Sequence, residues 1–352
     1  MLAKRVNMSG MIYKAGFRTP RGLANPHIQT LLPLLLPRRK LRLETELLTL
    51  PDNDIVELSW AQPSPTDARA PIMVLFHGLE GSVDSPYARM LMRTAADMGW
   101  RAVLMHFRGC GHVPNRHVRS YHAGETADAY WMLSQLTRRY PNALKVAVGV
   151  SLGANVLLKL AAEQGGDGLD LAGAIAISPP LDLAASADAI NIGFACCYQR
   201  HILKSMKRKM MRHVDDGRLG RINRQQLKEL DTFWAFDNEI TAPLHGFGSA
   251  TDYYQRASSG LMLHRIELPT LILQAADDPL MPRNLLDRLP VPSRSVRIEM
   301  AEHGGHVGFI EYRQGLLRPW LARRVAQQLE SWRFVPGRQL QTRPLGRNQP
   351  QD

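Results

Sequence analysis

The stretch Lys145-Val146-Ala147-Val148-Gly149-Val150-Ser151-Leu152-Gly153-Ala154-Asn155 decides the fold. Its first six residues form a largely apolar run that suits a strand buried on both faces, and 154–162 reads as a helix. Between them, Gly149-Val150-Ser151-Leu152-Gly153 matches G-x-S-x-G, a sharp strand-to-helix turn that lifts a serine Oγ above a sheet into reach of a histidine. The five-residue pattern alone is weak; the strand before it and the helix after it give it weight. A helix starting there brings free backbone N–H groups and the positive end of its dipole next to Ser151, so the amide of Leu152 is an expected oxyanion donor.

Outward from this turn, short continuous apolar runs recur at 72–76, 102–107, 172–177 and 271–273. Helical patterns at 87–98, 125–139, 154–162 and 321–332 alternate with them. That alternation implies an α/β fold with a mostly parallel, doubly wound sheet. Residues 41–50 and 55–60 alternate apolar with polar side chains around Pro51-Asp52-Asn53-Asp54, which predicts an antiparallel hairpin at a sheet edge.

About ninety residues separate Ile177 from Leu271, far more than the ~2–6 of an ordinary αβ loop. A helical cap insertion is therefore expected over 179–267, dividing an α/β-hydrolase core into 41–178 and 268–334. Within the insertion, 200–224 carries nine Lys or Arg against two Asp, with Met206, Met210 and Met211 at near-helical spacing. A solvated helix face over a buried Met stripe is expected. Residues 1–40, rich in Pro, Gly and Arg without a clear period, are expected to form an arm over the domain, and 335–352 a disordered basic tail.

On this fold the order of a hydrolytic triad is serine, acid, histidine. After the run 271–273 the chain reads Gln274-Ala275-Ala276-Asp277-Asp278-Pro279. Asp278 is the expected acid, because a residue before proline is pushed toward extended backbone; Asp277 is expected to anchor the loop. Asp182, after another strand end, is a further candidate. Past the strand-like 296–300 comes Glu302-His303-Gly304-Gly305-His306, where the Gly-Gly pair frees the backbone to bring His306 inward as the base. His303 is its alternative. His306 would take the Ser151 proton and return it to the leaving alcohol, while Asp278 holds the imidazole tautomer. A second oxyanion amide is assigned to Leu79 in Phe76-His77-Gly78-Leu79-Glu80-Gly81-Ser82, and His77 and Gly78 of that turn are expected to bind substrate.

A chain of 352 residues that is 45% apolar can form one large domain with an insertion, or two domains. The cysteines Cys110, Cys196 and Cys197 are odd in number and two are adjacent, which excludes a disulfide framework and fits a reducing cytosol. Met1-Leu2-Ala3-Lys4-Arg5 opens no apolar signal core. The greasiest stretch, 31–36, is broken by Pro33 and far short of the ~20 residues a membrane span needs. A cytoplasmic protein without a transmembrane helix is expected. Cys110, His112, His117 and His122 crowd one stretch, but their spacing matches no zinc pattern, so neither metal nor organic cofactor is expected. A net charge of +12 allows peripheral contact with an anionic membrane, while no nucleic-acid motif or stacking platform accompanies it.

Further stretches carry a family pattern: Asn25-Pro26-His27-Ile28-Gln29-Thr30, Phe107-Arg108-Gly109-Cys110, Tyr121-His122-Ala123-Gly124-Glu125-Thr126, Phe233-Trp234-Ala235-Phe236-Asp237 and Thr241-Ala242-Pro243-Leu244-His245-Gly246-Phe247, then Asp252-Tyr253-Tyr254. Together with the Ser151 and Leu79 turns they make residues 15–335 resemble the YheT-like α/β-hydrolases, relatives of eukaryotic lipid-acting hydrolases. The resemblance implies Ser151, Asp278 and His306 as the triad and esterase or lipase chemistry on acyl esters. Eukaryotic relatives usually carry an N-terminal membrane anchor, for which this sequence has no apolar segment.

The expected function is hydrolysis of a carboxylic ester through an acyl-enzyme, with the cap shaping an apolar acyl pocket for a small-molecule ester or lipid. Acyl transfer or phospholipid deacylation on the same triad is the nearest alternative. A non-catalytic binding protein on this fold is the alternative of a different class.

Overall fold

A computed structural model describes residues 11–37, 39–165, 168–220 and 222–333. The expected tail at 335–352 lies outside them, as do residues 1–10 and Arg38 of the arm. The described chain begins with β1 (Ile12–Lys14) and a short helix α1 (Pro26–Leu31), then the antiparallel pair β2 (Arg42–Thr49) and β3 (Ile55–Gln62). Alternation follows: β4 (Ile72–Phe76), α2 (Pro86–Asp97), β5 (Arg101–Met105), α3 (Ala127–Arg139), β6 (Lys145–Val150), α4 (Leu152–Gln164) and β7 (Gly173–Ile177). The long interval holds α5 (Leu183–Ala189), α6 (Ala195–Asp215), α7 (Arg224–Glu229), α8 (Phe233–Phe236), α9 (Ala242–Leu244) and α10 (Ala250–Ala257), with a π-helical turn at Asp237–Thr241. The chain closes with β8 (Thr270–Ala275), β9 (Val296–Ala301), the hairpin β10 (Ile310–Arg313) and β11 (Leu316–Pro319), and α11 (Trp320–Arg333).

Nine strands form one sheet in the order β1-β9-β8-β7-β6-β4-β5-β3-β2, all parallel to their neighbours except where β3 meets β5 and β2 meets β3. The strands read as unbroken apolar runs because both faces are covered. Along β4, Ile72, Val74 and Phe76 pack into one core with Met132, Val156 and Leu157. Met73 and Leu75 point the other way, into a core with Leu91, Met92 and Trp320. The strand order reverses at β4, with β5 on one side and β6 on the other. In such sheets the crevice outside the carboxyl ends at the reversal is where ligands bind, and the turns after β4 and β6 both open into it.

The arm departs from expectation. Its described part is not an irregular cover: β1 extends the sheet by pairing parallel with β9, Ile12 opposite Ile298. α1 is capped by Asn25, whose side chain accepts the N–H groups of His27 and Ile28, and starts with Pro26. A three-residue strand and a six-residue helix are too short to show a period. The basic stretch of the long interval behaves as an amphipathic helix. Along α6, Arg200, Lys204, Arg208 and Arg212 recur every four residues and are exposed. Met210 is buried with Leu203, Leu227 and Phe236, and Met206 and Met211 pack against them.

Candidate active site

β6 ends at Val150 and α4 begins at Leu152, so Ser151 alone makes the turn. Its φ of 52° and ψ of −119° lie where non-glycine residues are uncommon. The Ser151 N–H donates to the Ile177 carbonyl at 2.8 Å, which ties the turn to β7. The flanking glycines answer a lack of space. A Cβ on Gly149 would come 2.5 Å from the Gly153 carbonyl oxygen, and one on Gly153 would run into the carbonyl oxygens of Phe76 and His77. α4 can thus start hard against the ends of β4 and β6.

His306 Nε2 lies 3.0 Å from Ser151 Oγ, and His306 Nδ1 lies 2.8 Å from Asp278 Oδ2. The Asp278 side chain is fully buried, and its Oδ1 accepts the Leu280 N–H at 2.9 Å. Asp277 works on the same loop differently: its Oδ1 accepts the Gly305 N–H at 3.0 Å, and its Oδ2 lies 3.4 Å from His303 Nδ1. Burial raises the Asp277 carboxyl above its ordinary value. Asp182 caps α5, accepting the Ala185 N–H at 3.0 Å. The structure therefore brings Ser151, His306 and Asp278 into one hydrogen-bonded line, while Asp277, Asp182 and His303 are engaged elsewhere.

What holds His306 in place was missed by sequence reasoning. Thr30 Oγ accepts the His306 N–H at 2.9 Å and donates to the Pro26 carbonyl at 2.7 Å. Gln29, fully buried, accepts the Ile310 N–H at 2.7 Å and donates to the Leu23 carbonyl at 3.0 Å. Gly305 has φ +58°, and a Cβ there would meet Pro26 and Thr30. α1 is thus a brace against which the histidine loop is moulded. The stretch Asn25–Thr30, one of those that carry the family resemblance, was the available signal, but it carries no chemistry visible without the loop it touches.

Across the crevice, the Gly78 N–H donates to the Tyr87 hydroxyl at 2.8 Å. Among the described residues, no protein acceptor takes the amides of Leu79 or Leu152, and both residues line the cavity that contains Ser151. Glu80, at φ +55°, fastens this turn: its N–H donates to the Tyr121 hydroxyl, and its carboxylate accepts Ser205 Oγ at 2.6 Å and Lys209 Nζ at 2.9 Å from α6. His77 differs from expectation. Its ring is wholly buried, Nε2 accepts the Phe107 N–H at 3.0 Å, and Nδ1 lies 2.7 Å from the Gly78 carbonyl. With both nitrogens engaged by backbone, His77 shapes the turn instead of touching substrate. Gly78 packs against Ser151 itself, where a Cβ would lie 3.2 Å from the Ser151 Cβ.

Behind Ser151 the cavity is walled mainly by apolar side chains, among them Leu152, Leu183, Ile190, Ile202, Met206 and Phe233. His122, on its wall, groups with Glu125 and His245 closely enough to suggest a metal site. The donor chemistry argues otherwise. The Gly124 N–H donates to His122 Nδ1 at 3.1 Å, so in the neutral ring Nε2 carries the hydrogen, and Arg119 already donates to Glu125 at 2.5 Å.

Burial pushes the pKa of His77 and His122 down to about 3, and that of His245 to about 4. The unfolded chain takes up these protons near pH 6.5 while the folded chain refuses them, so this contribution is complete above that pH and lost as pH falls. Three such groups cost about 4 kcal/mol between pH 7 and pH 5.5. A steep fall in Tm over that interval is expected in thermal melts; a flat Tm would mean that these rings are charged or exposed in the folded state.

A family model described as the alpha/beta hydrolase fold matches residues 71–194. Over 90% of this chain and 94% of the relative, the sequence is 42% identical to an Escherichia coli (strain K12) protein named "Putative esterase YheT". It is 28% identical to the monoacylglycerol lipase of Saccharomyces cerevisiae, over 73% of this chain and 58% of the lipase. To phospholipase ABHD3 of Mus musculus it is 26% identical, over 80% and 70%. Among solved structures, the Pyrococcus furiosus esterase Pf2001 superposes with a TM-score of 0.53 at 15% identity, covering 90% of this chain and 99% of the esterase, a likeness of fold. Among the described residues no helix is long and apolar enough to cross a membrane.

Proposed function

The chain belongs to the YheT-like family of α/β hydrolases, and on that premise we propose that it is a serine carboxylic-ester hydrolase. Ser151 attacks the ester carbonyl, His306 accepts its proton through Nε2, and Asp278 keeps the other imidazole proton on Nδ1. The amides of Leu79 and Leu152 hold the developing oxyanion, an interaction worth about 3 kcal/mol per donor in the transition state. His306 then protonates the departing alcohol, and water, activated by the same imidazole, releases the acid from Ser151. The helices between β7 and β8 act as a cap, and the acyl chain lies in the cavity beneath them. No step calls on a metal or organic cofactor.

The observation that carries this reading is the line from Asp278 through His306 to Ser151, at 2.8 and 3.0 Å, ending at an apolar cavity beside two amides without acceptors among the described residues. The relatives named as esterase, lipase and phospholipase support the ester class. The test is hydrolysis of p-nitrophenyl esters from acetate to laurate, with fluorophosphonate labelling mapped by peptide mass spectrometry. Turnover with the label on Ser151 is expected. An inactive, unlabelled protein would overturn the reading in favour of a binding function, and transfer of the acyl group to added alcohol faster than to water would make it an acyltransferase.

A further inference from the structure

Among the described residues, every buried carboxyl group but one lies beside an arginine guanidinium or a histidine ring. Asp54 and Asp128 meet Arg108, Glu57 meets His112, Glu125 meets Arg119, Asp278 meets His306, Glu299 meets Arg324 and Glu311 meets Arg323. Asp237 is as buried as these, yet its partners among the described residues are two hydroxyl groups: Thr241 Oγ and Tyr254 OH, each donating at 2.6 Å. Each carboxylate oxygen therefore keeps acceptor capacity. Burying a carboxyl without a compensating cation is costly, and burial raises this one to about 6.

Position gives that cost a purpose. Asp237, Thr241 and Tyr254 line the cavity that also contains Ser151. Asp237 and Thr241 are the two ends of the π-helical turn, an irregularity that recurs at functional sites. We propose that Asp237, with Thr241 and Tyr254, forms a polar subsite that accepts a hydrogen bond from a hydroxyl group of the substrate, so that hydroxylated esters are preferred to plain ones. This rests on the esterase reading of Ser151.

The hydroxyl can sit in the alcohol or in the acyl chain, and paired substrates separate the two. Propyl hexanoate is compared with glycerol monohexanoate, and p-nitrophenyl hexanoate with its ω-hydroxy analogue. In the wild type, one hydroxylated ester is expected to exceed its plain partner in kcat/KM by about tenfold or more, as for a hydrogen bond to a buried charged acceptor. Asp237→Leu is expected to bring that ratio to about one, and Asp237→Asn, which keeps volume and one acceptor, to lower it several-fold. A merely structural role would lower both members of a pair together and leave the ratio unchanged. A wild-type ratio of one in both pairs, or a ratio that survives Asp237→Asn, overturns the subsite while leaving the esterase intact; inactivity on all the esters overturns both.

Discussion

Ser151→Ala is expected to lower kcat for a p-nitrophenyl ester by about a millionfold without unfolding the protein. The substitution removes Oγ and nothing else. Alanine keeps the Cβ that the strained φ of 52° already accommodates, and the backbone N–H still donates to Ile177. His306 and Asp278 keep each other at 2.8 Å. What remains is an imidazole with no nucleophile to deprotonate and two amides facing a carbonyl that nothing attacks; such remnants retain roughly a thousandfold over water. If serine and histidine act as one unit, as proposed, Ser151→Ala combined with His306→Ala is expected to cost no more than either alone. Steady-state rates with matched Tm values test this. A Ser151→Ala protein keeping more than about 1% of wild-type kcat would remove Ser151 from the chemistry.

The sheet was legible because its strands are buried on both faces. The runs at 72–76 and 145–150 coincide with β4 and β6, and the others differ from observed strands by a residue or two at their ends. Long helices were legible because one amphipathic pattern repeats over several turns. β1 and α1 escaped because they do their work in three strand residues and fewer than two helical turns, by contacts with β9 and the His306 loop that lie almost 300 residues away. Ser151, His306 and Asp278 were named because each follows a strand that the pattern locates. His77 was misread for an instructive reason: a histidine beside an oxyanion turn looks like a ligand-facing group, and only its partners, Phe107 and Gly78, reveal a ring spent on backbone. Arg108 shows the same limit. Its motif was visible, but that it gathers Asp52, Asp54 and Asp128 from the edge hairpin and α3 was not.

Supports reach the site from both sides. α1 grips the loop of His306 through Thr30, and α6 grips the turn of Leu79 through Ser205, Lys209 and Glu80. The proposed reacting groups follow strand ends, which a parallel sheet holds rigidly. α1 and α6 add the second set of contacts that keep His306 and the Leu79 turn, the proposed base and oxyanion donor, at fixed separation from Ser151.

The two adjacent aspartates give the sharpest division between catalysis and support. Asp278→Asn is expected to lower kcat by about ten-thousandfold, and Asp277→Asn by less than about tenfold, the usual scale of a hydrogen bond exchanged for a similar one. Asp278 must accept at both oxygens, from the Leu280 N–H and from His306 Nδ1, in a place without solvent. Asparagine has one oxygen. If it stays on Leu280, the amide NH2 faces Nδ1 and drives the imidazole proton to Nε2, the nitrogen that must receive the proton of Ser151; if it turns to His306, the Leu280 N–H meets another donor. Asp277 needs one acceptor, for the Gly305 N–H, and asparagine can supply it while its NH2 faces His303. Measured on one ester at one pH, a large gap between the variants assigns the acid to Asp278. Equal losses would mean that both residues only hold the loop, and that His306 draws its tautomer from elsewhere.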